Sequence, residues 1–403
     1  MLVDTDAVAA ERSPDRTELV ARAAALRERL WEAAAEADRT HRLTDEAVTA
    51  LTESGLMRLM TPKRLGGHQT DIRTLLEVAV EVGRGCCSAA WVTGVVNAGN
   101  FVVSLFPEAA QDEVWGGNPD ARTAFVLGRP SNGVEETEGG VLISGQWPYA
   151  SGSLHAEWMG GLVVDGADAG KPVVQFALMP MDELSVKDTW HFAGMRGTGS
   201  NTVVAERVFV PRHRLLPYVP VLNGETDGLI DAGHRYRNSF TGIFCVGLIG
   251  SLIGGADAAF RYVQEKASTR PVAGSTYAKQ TESPTLQLDL AAAATKIESA
   301  RLLATALTDR IDRFASAGEN PDVVTRARAR MDSTQVTQLC REAVDILLTA
   351  YGSSAFAESN PLQRIWRDVN VGSRHAGFGM GIPQQVYGRA LVGKDPREIS
   401  LLV

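Results

Sequence analysis

The stretch DTWHFAGMRGTGSNTVVAERVFVP, Asp188 to Pro211, sets a Trp-His pair ahead of a turn with almost no bulk, and a clean strand follows. An aromatic platform thus stands beside many exposed backbone amides. Taken alone, the pattern has two readings: a β-hairpin whose Gly-rich turn is held by a packed Trp, or a surface that receives a ligand. Other chemistries are easier to set aside. Cys86, Cys87, Cys245 and Cys340 form no CxxC and have no paired histidines, so neither zinc nor a disulfide framework is implied, and a reducing cytoplasm fits. GxGxxG and GxxxxGK[ST] are missing, so a dinucleotide or nucleoside triphosphate in the usual phosphate loops is not expected. A net charge of −8 over 403 residues argues against non-specific nucleic-acid binding.

The elements that must position this stretch fall into three blocks. Residues from about 15 to 120 read as helices: ELVARAAALRERLWEAAAEADR carries Ala, Leu and Trp at three- and four-residue spacing. LTDEAVTALTESGL has Thr44 as N-cap and Gly55 as stop, and TDIRTLLEVAVEVGRGCCSAAWVTGVVNAGNFVVSLF gives two more helices, small and apolar enough to be buried. From about Arg122 to Pro220, short β-branched runs such as TAFVLG, GGVLISGQW and PVVQFALMP predict an antiparallel sheet or small barrel. From about Gly224 helices return. Ser283-Pro284, Asn320-Pro321 and Asn360-Pro361 each place a capping side chain before a Pro at the first helical position. The first two predicted helices run roughly 30 residues, or about 45 Å, and call for bundle partners and an oligomer interface.

The predicted class is therefore α+β, mainly α: an N-terminal helical domain (1–121), a middle antiparallel β domain (122–223) and a C-terminal four-helix bundle (224–403). The N-terminus is charged and lacks the apolar core of a signal peptide. The longest uncharged run, Asn238 to Ala256, is diluted by five Gly, and Asp257 and Arg261 continue its pattern, which predicts a buried helix and no membrane span.

This order, together with PKRLGGHQTD (Pro62–Asp71), GQWPYASGSLHAEWM (Gly145–Met159), the Asp188–Pro211 stretch, YGSSA (Tyr351–Ala355) and LQRIWRDVNVGSRHA (Leu362–Ala376), resembles the acyl-CoA dehydrogenase fold. More closely, it is similar to the two-component flavin-dependent monooxygenases on that fold, such as the oxygenase components of phenol and 4-hydroxyphenylacetate hydroxylases. Each motif is weak singly, but five lie in register over nearly the whole chain.

The resemblance implies that reduced flavin, FMNH2 or FADH2, comes from a separate NAD(P)H:flavin reductase and reacts with O2 to a C4a-hydroperoxide that hydroxylates a small aromatic, phenolic or polycyclic substrate. It places Trp190 and the turn at Thr198 along the isoalloxazine, with Tyr149 and Ser151 on the opposite edge. Ser353, Ser354 and Arg270 would take the flavin phosphate, in this or a neighbouring subunit. Ser151 would hold the peroxide near flavin N5 and C4a, and His375 would act as base toward the phenol. Trp91 and His68 are candidate substrate contacts, although a helical Trp among Ala and Val also reads as core and His68 as a loop histidine. His155 and His191 support the flavin motifs, whereas His41, His213 and His234 read as surface. The segments from Val219 to Tyr236 and from Gly377 to Gly381 are expected to shape the pocket, and a homotetramer is expected.

Three alternatives stay open at this point. N-oxygenation of an amine or amino sugar needs no phenol base. An acyl-CoA dehydrogenase needs a carboxylate seven residues before Arg364, where Ala357 stands, with Glu358 one position away. A scaffold without flavin would not need the Trp190, Thr198, Ser151 and Ser353 pattern.

Overall fold

A computed structural model describes residues 14–225, 240–379 and 381–403. The N-terminal block is helical: α1 (Arg16–Ala25), α2 (Arg27–Thr40), α3 (Asp45–Glu53), α4 (Ile72–Gly85), α5 (Cys87–Val103) and α6 (Glu108–Trp115). The long apolar pattern at the start is two helices, broken at Leu26. Thr44 caps α3 by accepting from the Ala47 N–H, and Gly55 follows in the left-handed region at φ 75°.

Eight strands come next: β1 (Thr123–Phe125), β2 (Gly133–Thr137), β3 (Gly140–Ala150), β4 (Trp158–Asp168), β5 (Lys171–Pro180), β6 (Ser185–Lys187), β7 (Asn201–Pro211) and β8 (Leu215–Pro217). They form two four-stranded sheets, ordered β1-β4-β5-β8 and β2-β3-β7-β6. The pairing is antiparallel with one departure from the sequence expectation: β1 runs parallel to β4. Val141, Ile143, Met159, Val163, Val203 and Val210 fill the space between the sheets, and the Trp147 indole donates across it to the Leu162 carbonyl at 3.0 Å. The expected boundary at 121/122 lies between α6 and β1. That at 223/224 lies where Gly224 ends a short helix, α7 (Tyr218–Asn223).

The C-terminal block holds α8 (Phe240–Ala267), α9 (Pro284–Ala317), α10 (Val323–Tyr351), α11 (Pro361–Gly372) and α12 (Ile382–Leu391). Helices α8 to α11 form the bundle. Helix α10 starts later than Asn320-Pro321 predicted: Asp322 is its cap, accepting from the Thr325 N–H at 2.7 Å, because a carboxylate serves the first free amides as well as Asn and adds charge complementarity. Helix α8 is long and apolar enough to cross a membrane, but 89% of its most apolar window is buried by protein. It is the axle of the fold, packed on α4, α5, α9, α10 and α11. Glycines permit that closeness: a Cβ on Gly94 of α5 would come within 2.3 Å of the Gly247 carbonyl of α8.

Candidate active site

Loop 188–200 enters β7 at Asn201, whose side chain accepts from the Thr189 and Trp190 N–H groups at 2.9 and 3.0 Å and so fixes the loop's first half. The second half turns on Met195, a left-handed non-glycine residue at φ 52°. Its carbonyl collects three donors: Trp190 Nε1 at 2.9 Å, the Thr198 N–H at 3.1 Å and Thr198 Oγ1 at 2.8 Å. Its N–H donates to Asp368 of α11 at 2.6 Å. The preceding Gly194 lies so close to α11 that a Cβ would sit 2.2 Å from the Arg367 carbonyl.

Asp368 is buried, and burial pushes its carboxyl up to about 6 despite the Met195 bond. A carboxyl raised above its unfolded value adds stability that is complete below about pH 4 and lost as pH rises through about 6. Asp368→Asn keeps an acceptor for Met195 without the buried charge, so at pH 8 it is expected to match or exceed wild-type stability. Asp368→Ala strands the Met195 N–H and is expected to cost about 1–3 kcal/mol in chemical denaturation, with weakened flavin binding. An Ala variant that behaves as wild type in both measurements would remove Asp368 from the site.

The rings beside this loop form an exposed wall. Phe192 stacks on Trp190 at 3.9 Å and 18°, and Tyr149 meets both edge-on at 6.0 Å. Trp190 is only 6% exposed, whereas Tyr149 and Phe192 are 60% and 38% exposed. The surface available to a flat ligand is therefore Tyr149 and Phe192 backed by Trp190, not Trp190 itself. Tyr149 owes its position to the register shift between Trp147 and Ala150 in β3, where it takes a left-handed φ of 67°.

Beside the wall lies a chain of three hydroxyls. Ser151 Oγ is 2.7 Å from Ser200 Oγ, and Ser200 Oγ is 2.6 Å from Thr198 Oγ1. Thr198 gives its proton to the Met195 carbonyl, so Ser200 gives its own to Thr198, and Ser151 to Ser200. Ser151 then offers a ligand lone pairs only. Reversing the chain turns Ser151 into a donor and leaves Met195 O with two N–H partners, a low cost. Ser200 escaped the sequence reading because one serine in a Gly/Ser turn carries no signal of its own.

The second cluster centres on His375, in the turn after α11. Its ring lies 5.6 Å from Trp91, 5.6 Å from Phe244 and 5.9 Å from Phe378. Met195 and Trp91 both crowd Gly372, where a Cβ would meet them at 2.8 and 3.2 Å, so this cluster adjoins loop 188–200. Burial first, then the Arg330 charge, lowers the imidazole to about 4, yet the ring keeps accessible surface. The residue is half-buried among these rings, so part of it stays open to a ligand. The Gly377 N–H donates to Nδ1 at 3.1 Å, which assigns the neutral ring's proton to Nε2. Among the described residues Nε2 has no partner, and it is not sealed from solvent. His375 therefore presents a free donor, whereas the expected base needs the opposite tautomer, which would set two N–H groups against each other.

The third cluster joins Arg270 to YGSSA. Arg270 Nη2 donates to Ser354 Oγ at 2.8 Å, its guanidinium lies 3.6 Å over the Tyr351 ring, and its Nη1 is buried without a partner among the described residues. An orphaned guanidinium donor beside a serine hydroxyl, with the exposed Ser353 next to it, fits a phosphate oxygen. Ser354 is tied through its carbonyl to Asn360 at the start of α11, while Asp368 lies eight residues on. At 1.5 Å per residue the phosphate cluster and the ring wall stand roughly 12 Å apart along one helix. Glu358, the dehydrogenase-type base, is exposed at the phosphate end of α11, away from His375.

His68 is not brought to these clusters. It is buried against Gly55, where a Cβ would lie 2.6 Å from Nε2, and burial with Arg58 and Arg22 nearby lowers it to about 4. His41, expected at the surface, is half-buried and accepts from Arg196 Nε at 2.9 Å; His213 pairs with Glu113 at 2.9 Å. His191 is exposed beside Asp188. His155 borders an open, charged groove of about 440 Å3 with Arg42, Asp45, Arg122 and Glu157, which offers no aromatic surface. His234, residues 226–236 of the expected pocket segment, and Met380 lie outside the described residues.

Known proteins resemble the chain over most of its length. Residues 13–116 match the family described as acyl-CoA dehydrogenase, N-terminal domain, and residues 247–379 its C-terminal domain. The flavin-dependent monooxygenase oxygenase subunit HsaA of Rhodococcus jostii (strain RHA1) is 33% identical, with 86% of this chain and 91% of that protein covered. The oxygenase component of the FADH(2)-dependent resorcinol hydroxylase of Rhizobium sp. (strain MTP-10005) is 30% identical, with 94% and 95% covered. Among solved structures, XiaF from Streptomyces sp., in complex with FADH2 and glycerol, superposes with a TM-score of 0.89 at 37% identity, covering 94% of this chain and 96% of that one.

Proposed function

Since the chain belongs to the oxygenase components of flavin-dependent monooxygenases built on the acyl-CoA dehydrogenase fold, we propose that it hydroxylates a phenolic ring held as the phenolate at His375. It is an enzyme that uses O2 and reduced flavin, supplied by a separate reductase, to hydroxylate a small aromatic substrate. Reduced flavin, when bound, supplies two electrons and, with O2, the oxygen atom that is transferred.

The chain's own residues bind, orient and exclude water. Tyr149 and Phe192, backed by Trp190, would hold the flat ring. Arg270, Ser353 and Ser354 would hold the phosphate. Ser151 would meet the flavin edge as acceptor or donor according to the direction of its hydroxyl chain. Trp91, Phe244 and Phe378 would give the substrate apolar surroundings, and His375 Nε2–H would donate to the substrate oxygen. That donor, fixed by the Gly377 N–H, is the observation that carries the phenolic reading, since a phenolate oxygen accepts from it strongly whereas an amine protonated at neutral pH has no lone pair to offer. A homotetramer is part of the proposal: Leu288 and Leu302 stand 72% and 61% exposed on α9, on a helix long enough to seat a second copy.

Anaerobic calorimetry with FMNH2 and FADH2 tests the flavin assignment. Wild type is expected to bind, and Arg270→Ala to bind about ten- to a hundredfold more weakly. Equal affinity would remove Arg270 from the phosphate. Failure to hydroxylate any phenol with a flavin reductase present would end the phenolic reading.

A further inference from the structure

Arg330 of α10 is 2% exposed, and among the described residues no carboxylate pairs with it. The nearest acidic neighbour in sequence, Asp332, is taken by Arg310 at 3.0 Å and Arg328 at 3.2 Å. Arg330 is instead held by neutral oxygens. Nε donates to Gly377 O at 3.0 Å, Nη2 to Ala376 O at 3.2 Å, and Nη1 to Ser400 Oγ and Leu402 O at 3.0 and 2.7 Å. Four acceptors satisfy its geometry, but none cancels its charge, and an unpaired buried cation is costly without a purpose.

Its contacts indicate that purpose. Ala376 O and the Gly377 N–H belong to one peptide group. Arg330 donates to the oxygen of that group, whose N–H donates to His375 Nδ1 at 3.1 Å. The line from guanidinium to peptide to imidazole to Nε2–H points one way, and each bond polarises the next. The other groups facing Arg330 and His375 carry no opposing charge: Cys245 of α8 and Tyr218 of α7 are pushed by burial up to about 11 and 12, and Trp91, Phe244 and Phe378 are uncharged rings.

We propose that Arg330 is a positioning residue that sets the charge of the substrate site, acting through the Ala376–Gly377 peptide and His375 to favour the anionic form of a bound phenol. The proposal rests on the phenolic reading above. Burial does most to keep His375 neutral, and the cation adds to it by opposing a second positive charge on the ring. The phenol proton goes to solvent as the substrate enters, and His375 holds the oxygen left behind.

The test uses the full chain with Arg330→Met, Arg330→Gln and Arg330→Lys, each checked for wild-type circular dichroism. The first readout is the pH at which 4-nitrophenol ionises on the protein, followed by absorbance. The second is the titration of His375 by NMR without ligand. On wild type, nitrophenol is expected to ionise below its free value. In the Met and Gln variants the midpoint is expected to rise by about one pH unit, a tenfold loss, and the His375 titration to move up from about 4. Arg330→Lys should restore most of both shifts, which a purely structural role would not require. Should Met misfold, Gln can still bond the same carbonyls and carries the test. Unmoved midpoints in a folded neutral variant would overturn the proposal alone. A wild type that leaves nitrophenol ionisation unshifted would overturn the phenolic reading and the proposal with it.

Discussion

His375→Ala is expected to keep consuming O2 when reductase and flavin are supplied, while hydroxylated product falls about a hundred- to a thousandfold and H2O2 takes its place. Ring hydroxylation needs electron density at the carbon beside the phenol oxygen, and a phenolate supplies far more than a phenol. Nε2–H both stabilises that anion and fixes the angle at which the ring meets the reactive oxygen, so its loss should leave oxygen activation running without an acceptor. The wild-type pH profile separates this role from that of a base. A ring at about 4 stays neutral from pH 5 to 8, so no acid limb near 6.5 should come from it. Product measured by chromatography against O2 measured by electrode gives the coupling ratio. An unchanged ratio in His375→Ala, or an acid limb near 6.5 that vanishes with the substitution, would refute the donor role.

The helix–sheet–bundle order was legible because hydrophobic period and turn chemistry change together near Arg122 and Gly224. The short strands were not. β2 is a largely exposed Gly-Val-Glu-Glu-Thr edge and β6 is three residues long, so neither buries enough to print a pattern. The aromatic stretch around Trp190 stood out in the sequence, but the make-up of the exposed wall did not. Phe192 looked like one more loop residue until it stacked on Trp190. Asp368 and Arg330 act across gaps of 173 and 46 residues, beyond any local signal. A trace of each was nevertheless present. Asp368 sits on the same stripe as Leu362, Ile365 and Gly372, and Arg330 on that of Ala327, Thr334 and Thr337, so a charge interrupts a buried face. Such interruptions mark a group with a distant partner: Asp368 leads to Met195 of loop 188–200, and Arg330 to the peptide beside His375.

The largest effect on stability should come from acid. His68, His155 and His375 are each lowered by burial to about 4, against about 6.5 in an unfolded chain. Between those values the unfolded state binds a proton that the folded state refuses. The stability these rings contribute is therefore complete above pH 6.5 and lost as pH falls toward 4. Each shift corresponds to at most about 3 kcal/mol, and the three sites are separate enough to add to roughly 9. Asp368 works in the opposite direction over nearly the same window and returns about 3. A net loss of about 6 kcal/mol is comparable with the whole stability of an ordinary domain, so unfolding is expected to begin near pH 5, before most carboxylates titrate. Guanidinium denaturation at pH 7.5 and 4.5 measures the loss. His68→Gln should reduce it by about half without touching the rings around His375, and Asp368→Asn should deepen it by removing the counterweight. Denaturation midpoints that agree between the two pH values would mean that these rings are not held neutral by the fold, and the donor assigned to His375 would lose its electrostatic basis as well.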